Sequence, residues 1–241
     1  MYTFDPKKRY VLIGMGAFGL EIARTFQKQK ANFFIILHLE EKFSHAQDSK
    51  FNLNGLQQMG FEQIYETDVT NPEALRRHLK TDDIVILSHG KSFEIKILAI
   101  DALKTIGVKQ IYVRATRDTH SRIFSSMDVR RVVFPEKQEG KRFALQMMHP
   151  HIQIIDEIAP QILIMEVPCP NKFVGKNILE SHLRSKYHIN VICLKEYTED
   201  GGLLISAKSS GFESTILKTT HRMVISGHSV DLKHVTDLLE D

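Results

Sequence analysis

The chain of 241 residues is 42% hydrophobic and 25% charged, ordinary globular values that exclude disorder and fibrous repeats. Lys and Arg number 32 against 29 Asp and Glu, and a formal charge of +3 is too thin a surplus to hold nucleic acid by phosphate neutralisation. Two cysteines, Cys169 and Cys193, are too few for a disulfide scaffold and read as buried thiols in a reducing compartment.

Residues 1–9 are polar and lack the uninterrupted apolar run of ~7–15 residues that a secretory signal needs. No later segment approaches the ~18–20 apolar residues of a membrane span, so a cytoplasmic protein is expected. Residues 10–13 are a short apolar strand ending at Gly14, and beyond a glycine-rich turn Leu20, Ile22, Ala23 and Phe26 recur at helical spacing. Residues 33–37 form a second strand, apolar without alternation, as when both faces of a sheet are covered. A charged helix candidate starts at Glu40, Leu53, Leu56 and Met59 lead to Gly60, and residues 64–65 make a third strand ending at Thr67-Asp68. Asn71-Pro72-Glu73 is a helix start, with Asn71 as N-cap and Pro72 at the first helical position. Strands at 84–87, 111–113 and 131–134 then alternate with helices at 93–106 and 119–127. Such a β-α series predicts an α/β fold, a Rossmann-like doubly wound parallel sheet with helices on both faces.

The pattern changes after Pro135. Residues 139–148 read as one helix, stopped by His149-Pro150-His151. Strands are predicted at 162–167, 190–194, 203–207 and 223–226, the third following a hairpin turn signal at Glu199-Asp200-Gly201-Gly202, and a helix at 229–239 closes the chain. This is a second, smaller α+β domain. The expected division is a first, Rossmann-like lobe over 1–136, a helix and linker over 137–157, and the small lobe over 158–241.

Gly14-Met15-Gly16-Ala17-Phe18-Gly19 matches G-x-G-x-x-G between a predicted strand and a predicted helix. Gly14 permits the tight turn, Gly16 lets the backbone approach a pyrophosphate without a Cβ, and Gly19 allows close helix-to-strand packing. The helix N-terminus offers unpaired N–H groups to the phosphates. A glycine turn without a ligand is the alternative. About 20 residues on, where an acid is expected to bond the ribose, stands His38, with Glu40 two residues later. Either His38 bonds the ribose as a neutral imidazole, or Glu40 reaches back, or ribose recognition is lost. A 2′-phosphate read by protonated His38 is weaker, because no Arg lies beside it. Asp68-Val69 after the third strand can bond an adenine amino group or serve as an Asx turn leading a helix. After the fourth strand, Ser88-His89-Gly90 permits close cofactor approach, while His89 has no nucleophile or acid partner that would make it a catalytic base.

With these pieces in place the chain resembles the RCK (regulator of K⁺ conductance) proteins, the TrkA-N plus TrkA-C pair of the TrkA and KtrA subunits. The resemblance rests on the glycine turn, Thr67-Asp68-Val69-Thr70, Val113-Arg114-Ala115, and Val133-Phe134-Pro135-Glu136-Lys137 before Gly140. In the second lobe it rests on Gly175-Lys176-Asn177-Ile178 and on Met223 to His228. It implies a crossover helix that pairs two subunits, a C-terminal ligand-sensing lobe (TrkA-C), and homodimers assembled into a ring, usually octameric. The implied partner is a TrkH/KtrB-like K⁺-translocating membrane subunit, gated from its cytoplasmic face by exchange of an adenine nucleotide (NAD/NADH or ADP/ATP). Arg114 would lie near the nucleotide, and Glu136 near the phosphates and a cation at the dimer interface. ATP-responsive members carry an Arg inside the glycine turn where this chain has Ala17, so dinucleotide, nucleoside diphosphate and no ligand all stay open.

Three other classes fit less well. An NAD(P)-dependent oxidoreductase acting on a carbonyl or alcohol wants a positioned acid-base group, and no Tyr-x-x-x-Lys occurs. A redox-sensing transcriptional regulator needs a basic recognition element, but Lys7-Lys8-Arg9 and Arg130-Arg131 are short runs flanking strands. For metal binding, neither His149-Pro150-His151 nor Cys169 between two prolines has companions at ligand spacing. The expected role is regulatory, without catalysis or a metal.

Overall fold

The computed structural model describes residues 7–39, 51–88, 92–148, 151–198, 200, 202–207 and 211–239. The chain divides into two compact units, Met1–Lys137 and Gln138–Asp241. Among the described residues no helix is long and apolar enough to cross a membrane.

The first unit runs β1 (Arg9–Ile13), α1 (Ala17–Lys28), β2 (Asn32–His38), α2 (Leu53–Gln58), β3 (Ile64–Thr67), α3 (Pro72–Arg76), β4 (Ile84–Leu87), α4 (Phe93–Thr105), β5 (Gln110–Arg114), α5 (Asp118–Ser126) and β6 (Arg131–Val133). Its six strands pair in parallel in the order β3-β2-β1-β4-β5-β6. This is the Rossmann-like doubly wound sheet expected from the strand series. Its strand order reverses between β1 and β4, where ligands collect at the C-terminal strand ends.

Alternate residues of the central strands feed two cores. Val11, Ile13, Phe34 and Ile36 face Leu75 of α3, Ile100 and Leu103 of α4, and Phe124 of α5. Leu12, Ile35 and Leu37 pack on the other side with Leu20 and Ala23 of α1 and Leu56 of α2. A strand covered on both faces has no polar face to show, which is why these segments lack alternation. The helix starts are local. Asn71 accepts from the N–H groups of Glu73 (2.9 Å) and Ala74 (3.3 Å) ahead of Pro72, and Ser92 accepts from Ile95 N–H (3.1 Å).

Helix α6 (Pro135–Met148) starts four residues before the predicted Glu139, with Pro135 at its first position. It buries none of its residues, and Phe143 and Met147, one turn apart, are exposed.

The second unit carries β7 (Gln153–Ala159), β8 (Ile162–Pro168), α7 (Leu183–Tyr187), β9 (Asn190–Tyr197), β10 (Leu203–Ala207), β11 (His221–His228) and α8 (Ser229–Asp237). They form an antiparallel sheet in the order β10-β9-β11-β8-β7. Met165, Val167, Leu194, Met223 and Ile225 bury one face beneath Leu232 and Val235 of α8. Strand β7 lies largely where the sequence reading places a linker. It is an edge strand with two register shifts against β8, and all but Ile154 of its residues are exposed. Bulges and an acidic Asp156-Glu157 pair hide its period, a usual way of blunting a sheet edge.

The cysteines are free. Cys169 is buried, and burial pushes its thiol up to about 11; Cys193 is half-buried and raised for the same reason.

Candidate functional site

The site is built where β1, β4 and β5 end. Gly14 takes a positive φ of 78°, a backbone that L side chains rarely adopt, and donates its N–H to Ile36 O at 2.8 Å. Gly16 is extended and forms the N-cap of α1, which receives no side-chain cap. The first-turn N–H groups are thus left for another acceptor. A Cβ built on Gly16 would meet nothing within 4 Å. At Gly19 the opposite holds. A Cβ there would stand 2.6 Å from Ser88 Oγ and 3.3 Å from Gly14 O and Met15 Sδ, so this glycine lets α1 lie against the end of β4.

Ser88 is fully buried and belongs to the scaffold of the turn. Its Oγ donates to Gly14 O (2.6 Å) and its N–H to Ile13 O (3.0 Å). The Ser88 carbonyl accepts from Arg114 Nη1 at 3.4 Å, a long bond. The Arg114 guanidinium lies 5.6 Å from the Phe18 ring centroid and forms an ion pair with Glu136 in the first turn of α6. Burial works to raise the Glu136 carboxyl, but hydrogen bonds, chiefly from Arg114, outweigh it and hold the group below its ordinary range. Arg114 Nε is buried and has no acceptor among the described residues.

On the other side of the turn, His38 ends β2, is 4% exposed, and accepts Val69 N–H on Nδ1 at 3.3 Å. It stands 3.8 Å from Asp68 Oδ1. That oxygen accepts from both the Thr70 hydroxyl (2.7 Å) and the Thr70 N–H (2.9 Å), an Asx turn of the kind weighed from the sequence. The Thr70 hydroxyl bond is the main cause holding the Asp68 carboxyl below its ordinary range.

A narrow cavity joins Gly14, His38, Val69, Leu87, Ile95 and Lys96. A wider, open trough in the second unit, lined by Lys176, Leu179, Glu180 and His182, has no buried polar group in its walls. We place the site at the glycine turn because donors and buried charge converge there. Glu40, His89 and Gly90 lie outside the described residues. Met15 and Phe18 are half-buried and Ala17 is exposed within the turn. Among the described residues no group of three His, Cys, Asp or Glu is arranged to hold a metal ion.

The TrkA-N domain pattern matches residues 10–135, just over half of the chain. The chain belongs to the TrkA-N family. It is 25% identical over 195 residues to Ktr system potassium uptake protein C of Bacillus subtilis (strain 168), covering 80% of this chain and 83% of that protein. To Ktr system potassium uptake protein A of the same organism it is 21% identical over 226 residues, covering 94% of each. Among solved structures it is similar to the GsuK channel bound to NAD, with a TM-score of 0.57 and 15% identity, over 99% of this chain and 40% of that one. At that identity the likeness shows the fold alone, and the TrkA-N chain spans less than half the channel's length.

One residue of this TrkA-N unit escaped the sequence reading. Lys96 lies on the stripe of α4 that also holds Ala99, Ile100 and Leu103, and it is 4% exposed. Its Nζ donates to Arg114 O at 2.8 Å. Burial, aided by Arg114 and opposed by Glu136, pushes its ammonium down to about 8. The signal was present in the sequence: positions 96, 99, 100 and 103 share one helix face, and a lysine interrupts an otherwise apolar stripe.

Proposed function

We propose that this chain is a regulatory subunit of a K⁺-uptake system, and that it binds an adenine nucleotide at the glycine turn and changes conformation without chemistry. The observation that carries the ligand reading is Gly16: an uncapped, extended helix start with open space where a side chain would be. Ser88 and Gly19 brace the turn beside it, and Arg114 offers an unmet buried donor. These features fit a diphosphate, whose oxygens need donors and whose approach needs a missing Cβ. Gly14, Met15, Gly16, Ala17, Phe18 and Gly19 would cradle the phosphates through the backbone. His38 and Asp68 would face the adenosine, whose amino group Asp68 Oδ2 suits because both Thr70 bonds fall on Oδ1, and Arg114 with Glu136 the far phosphate.

A non-catalytic role is supported by Ser88, a hydroxyl committed to Gly14 O rather than to a base. The K⁺-uptake reading is supported by the two Ktr relatives, named for potassium uptake and matched over most of their length. Ligand identity stays at the level of an adenine nucleotide, NAD/NADH or ADP/ATP; the NAD of GsuK is a property of that channel. Two copies would pair through α6, whose Phe143 and Met147 offer an exposed apolar edge. Such dimers would build a ring, an octamer by resemblance, on the inner face of a K⁺-translocating membrane subunit. Gating requires unequal nucleotide affinity for two arrangements of that ring.

The test is a melting screen of ATP, ADP, AMP, NAD⁺, NADH and NADPH with the wild-type chain and Gly16→Asp. At least one ligand should raise the wild-type midpoint by mass action. Gly16→Asp should fold normally, since its side chain enters open space, yet bind at least about tenfold more weakly through clash and charge repulsion. Equal binding by both proteins would place the ligand elsewhere.

A further inference from the structure

Helix α4 carries a buried charge with no ion-pair partner among the described residues. Lys96 Nζ has three N–H donors. Arg114 O takes one, the Phe124 ring lies 5.8 Å away, and no second acceptor or ion-pair partner is present among the described residues. Among the described residues, the groups that face it are few. Arg114 of β5 repels it, and Glu136 of α6 attracts it without pairing. His38 of β2 lines the same cavity, and His120 of α5 stacks on Phe93 at 4.1 Å, edge-on to Phe124. A cation 96% removed from water with two donors to spare is costly unless an anion completes it.

We propose that Lys96 is an anion-binding residue of the glycine-turn site, its spare donors and its charge met by a phosphate oxygen of the bound nucleotide. The proposal rests on reading the turn as a nucleotide site: Lys96 lines the cavity that begins at Gly14, and its Nζ is held by the carbonyl of Arg114, the other cation of the site.

A consequence separates this role from packing. In the free protein Lys96 loses its proton near pH 8. A phosphate placed beside it favours the charged form and raises that value. Between the two values, binding must therefore take up a proton, and affinity must fall as pH rises. About one unit below the free-protein value the ammonium is fully formed and Lys96 no longer makes affinity depend on pH.

The experiment is titration calorimetry of the full chain with ADP, NAD⁺ and inorganic phosphate from pH 7 to 9.5, for wild type and Lys96→Met. Wild type should lose affinity for its nucleotide as pH rises through about 8, by up to about tenfold per pH unit, with proton uptake seen in paired buffers at pH 8.5. Lys96→Met should bind at least about tenfold more weakly at pH 7.5, with no slope above pH 8 and no proton uptake. Inorganic phosphate should show the same slope with lower affinity, because the shared chemistry is the phosphate oxygen. A nucleotide slope without a phosphate slope would place the anion partner elsewhere on the ligand and overturn the assignment.

Wild-type affinity and slope in Lys96→Met would also overturn it, as would a flat wild-type profile without proton uptake. If Lys96→Met fails to fold, the wild-type profile and proton count decide alone. If Gly16→Asp abolishes binding while Lys96→Met does not, only Lys96 is misassigned. If neither nucleotide binds wild type at any pH, the glycine-turn reading fails and this one with it.

Discussion

Each unit buries a charged side chain in its apolar interior, and the two are treated in opposite ways. In the second unit Glu166 of β8 is 3% exposed, and both its oxygens are engaged, by Lys195 Nζ at 2.6 Å and Arg222 Nε at 2.5 Å. Lys195 and Arg222 face each other directly across β9 and β11, a like-charge pairing that the acid between them makes tolerable. In the first unit Lys96 has one carbonyl and, among the described residues, no carboxylate. The first unit is able to close a buried charge: Asp83, 1% exposed, accepts from Arg9 Nε (2.8 Å), Arg9 Nη2 (2.7 Å) and Lys80 N–H (2.8 Å). The imbalance at Lys96 is thus local to the glycine-turn cavity. A buried charge that the chain satisfies itself holds the fold together, whereas one left with spare donors beside a cradle is poised for something the chain does not contain.

The comparison breaks most decisively at Glu166. Glu166→Ala leaves Lys195 and Arg222 opposed with nothing between them and should cost about 3 kcal/mol, less than a fully enclosed pair because both cations reach water. Chemical denaturation followed by a probe in the second unit measures it. A loss below about 1 kcal/mol would show that the acid is not structural. The pH dependence has a fixed sign. Burial tends to raise the Glu166 carboxyl, but the bonds from Lys195 and Arg222 outweigh it and leave it lowered. Its contribution is therefore complete above the ordinary carboxylate range and is lost as pH falls through the lowered folded value.

Next in size is Gly19→Ala. Its methyl group would stand 2.6 Å from Ser88 Oγ, which cannot swing away without giving up Gly14 O. Overpacking of this kind costs about 2 kcal/mol, read as a lower midpoint of the first unit. Gly19→Ala damages the protein without a ligand, while Gly16→Asp should damage only the complex. Equal stability losses at the two positions would erase the distinction between a packing glycine and a ligand-facing one.

Much of this was legible in the sequence because the deciding patterns are local. The glycine turn, the unalternating strand of Phe33 to Leu37 and the Asn71-Pro72 cap each fix their own geometry within a few residues. Three features were not. Strand β7 hides because bulges and exposed acids erase its period. Asp68 is open to two roles in the sequence, since an Asx turn and a ligand contact use the same residue in the same place; the structure shows the turn, with both Thr70 bonds on Oδ1. Lys96 shows its position on an apolar stripe in the sequence, but that its ammonium reaches Arg114 O depends on α4 packing under the end of β5. Charges are hardest to place from sequence, because long flexible stems let a lysine at a buried position send its head back to water.

The smallest expected effect lies at Asp68, the acid nearest the cavity that is only half closed. Both bonds from Thr70 fall on Oδ1, and the hydroxyl bond is the larger cause of its lowered carboxyl. Thr70→Val removes that bond while keeping the backbone N–H and the shape of the side chain, so the turn should survive with a loss of about 1 kcal/mol. The Asp68 carboxyl should rise toward its ordinary value, a shift that carbon NMR of the carboxyl resonance follows directly. The sign is fixed by the charged form losing a donor. Stability should accordingly weaken above the carboxylate range and approach that of the unsubstituted chain in acid, where the wild-type advantage is also gone. If Asp68 titrates unchanged in Thr70→Val, the hydroxyl is not what holds it, and this acid joins Lys96 as a group awaiting a partner rather than Glu166 as one that has found its own.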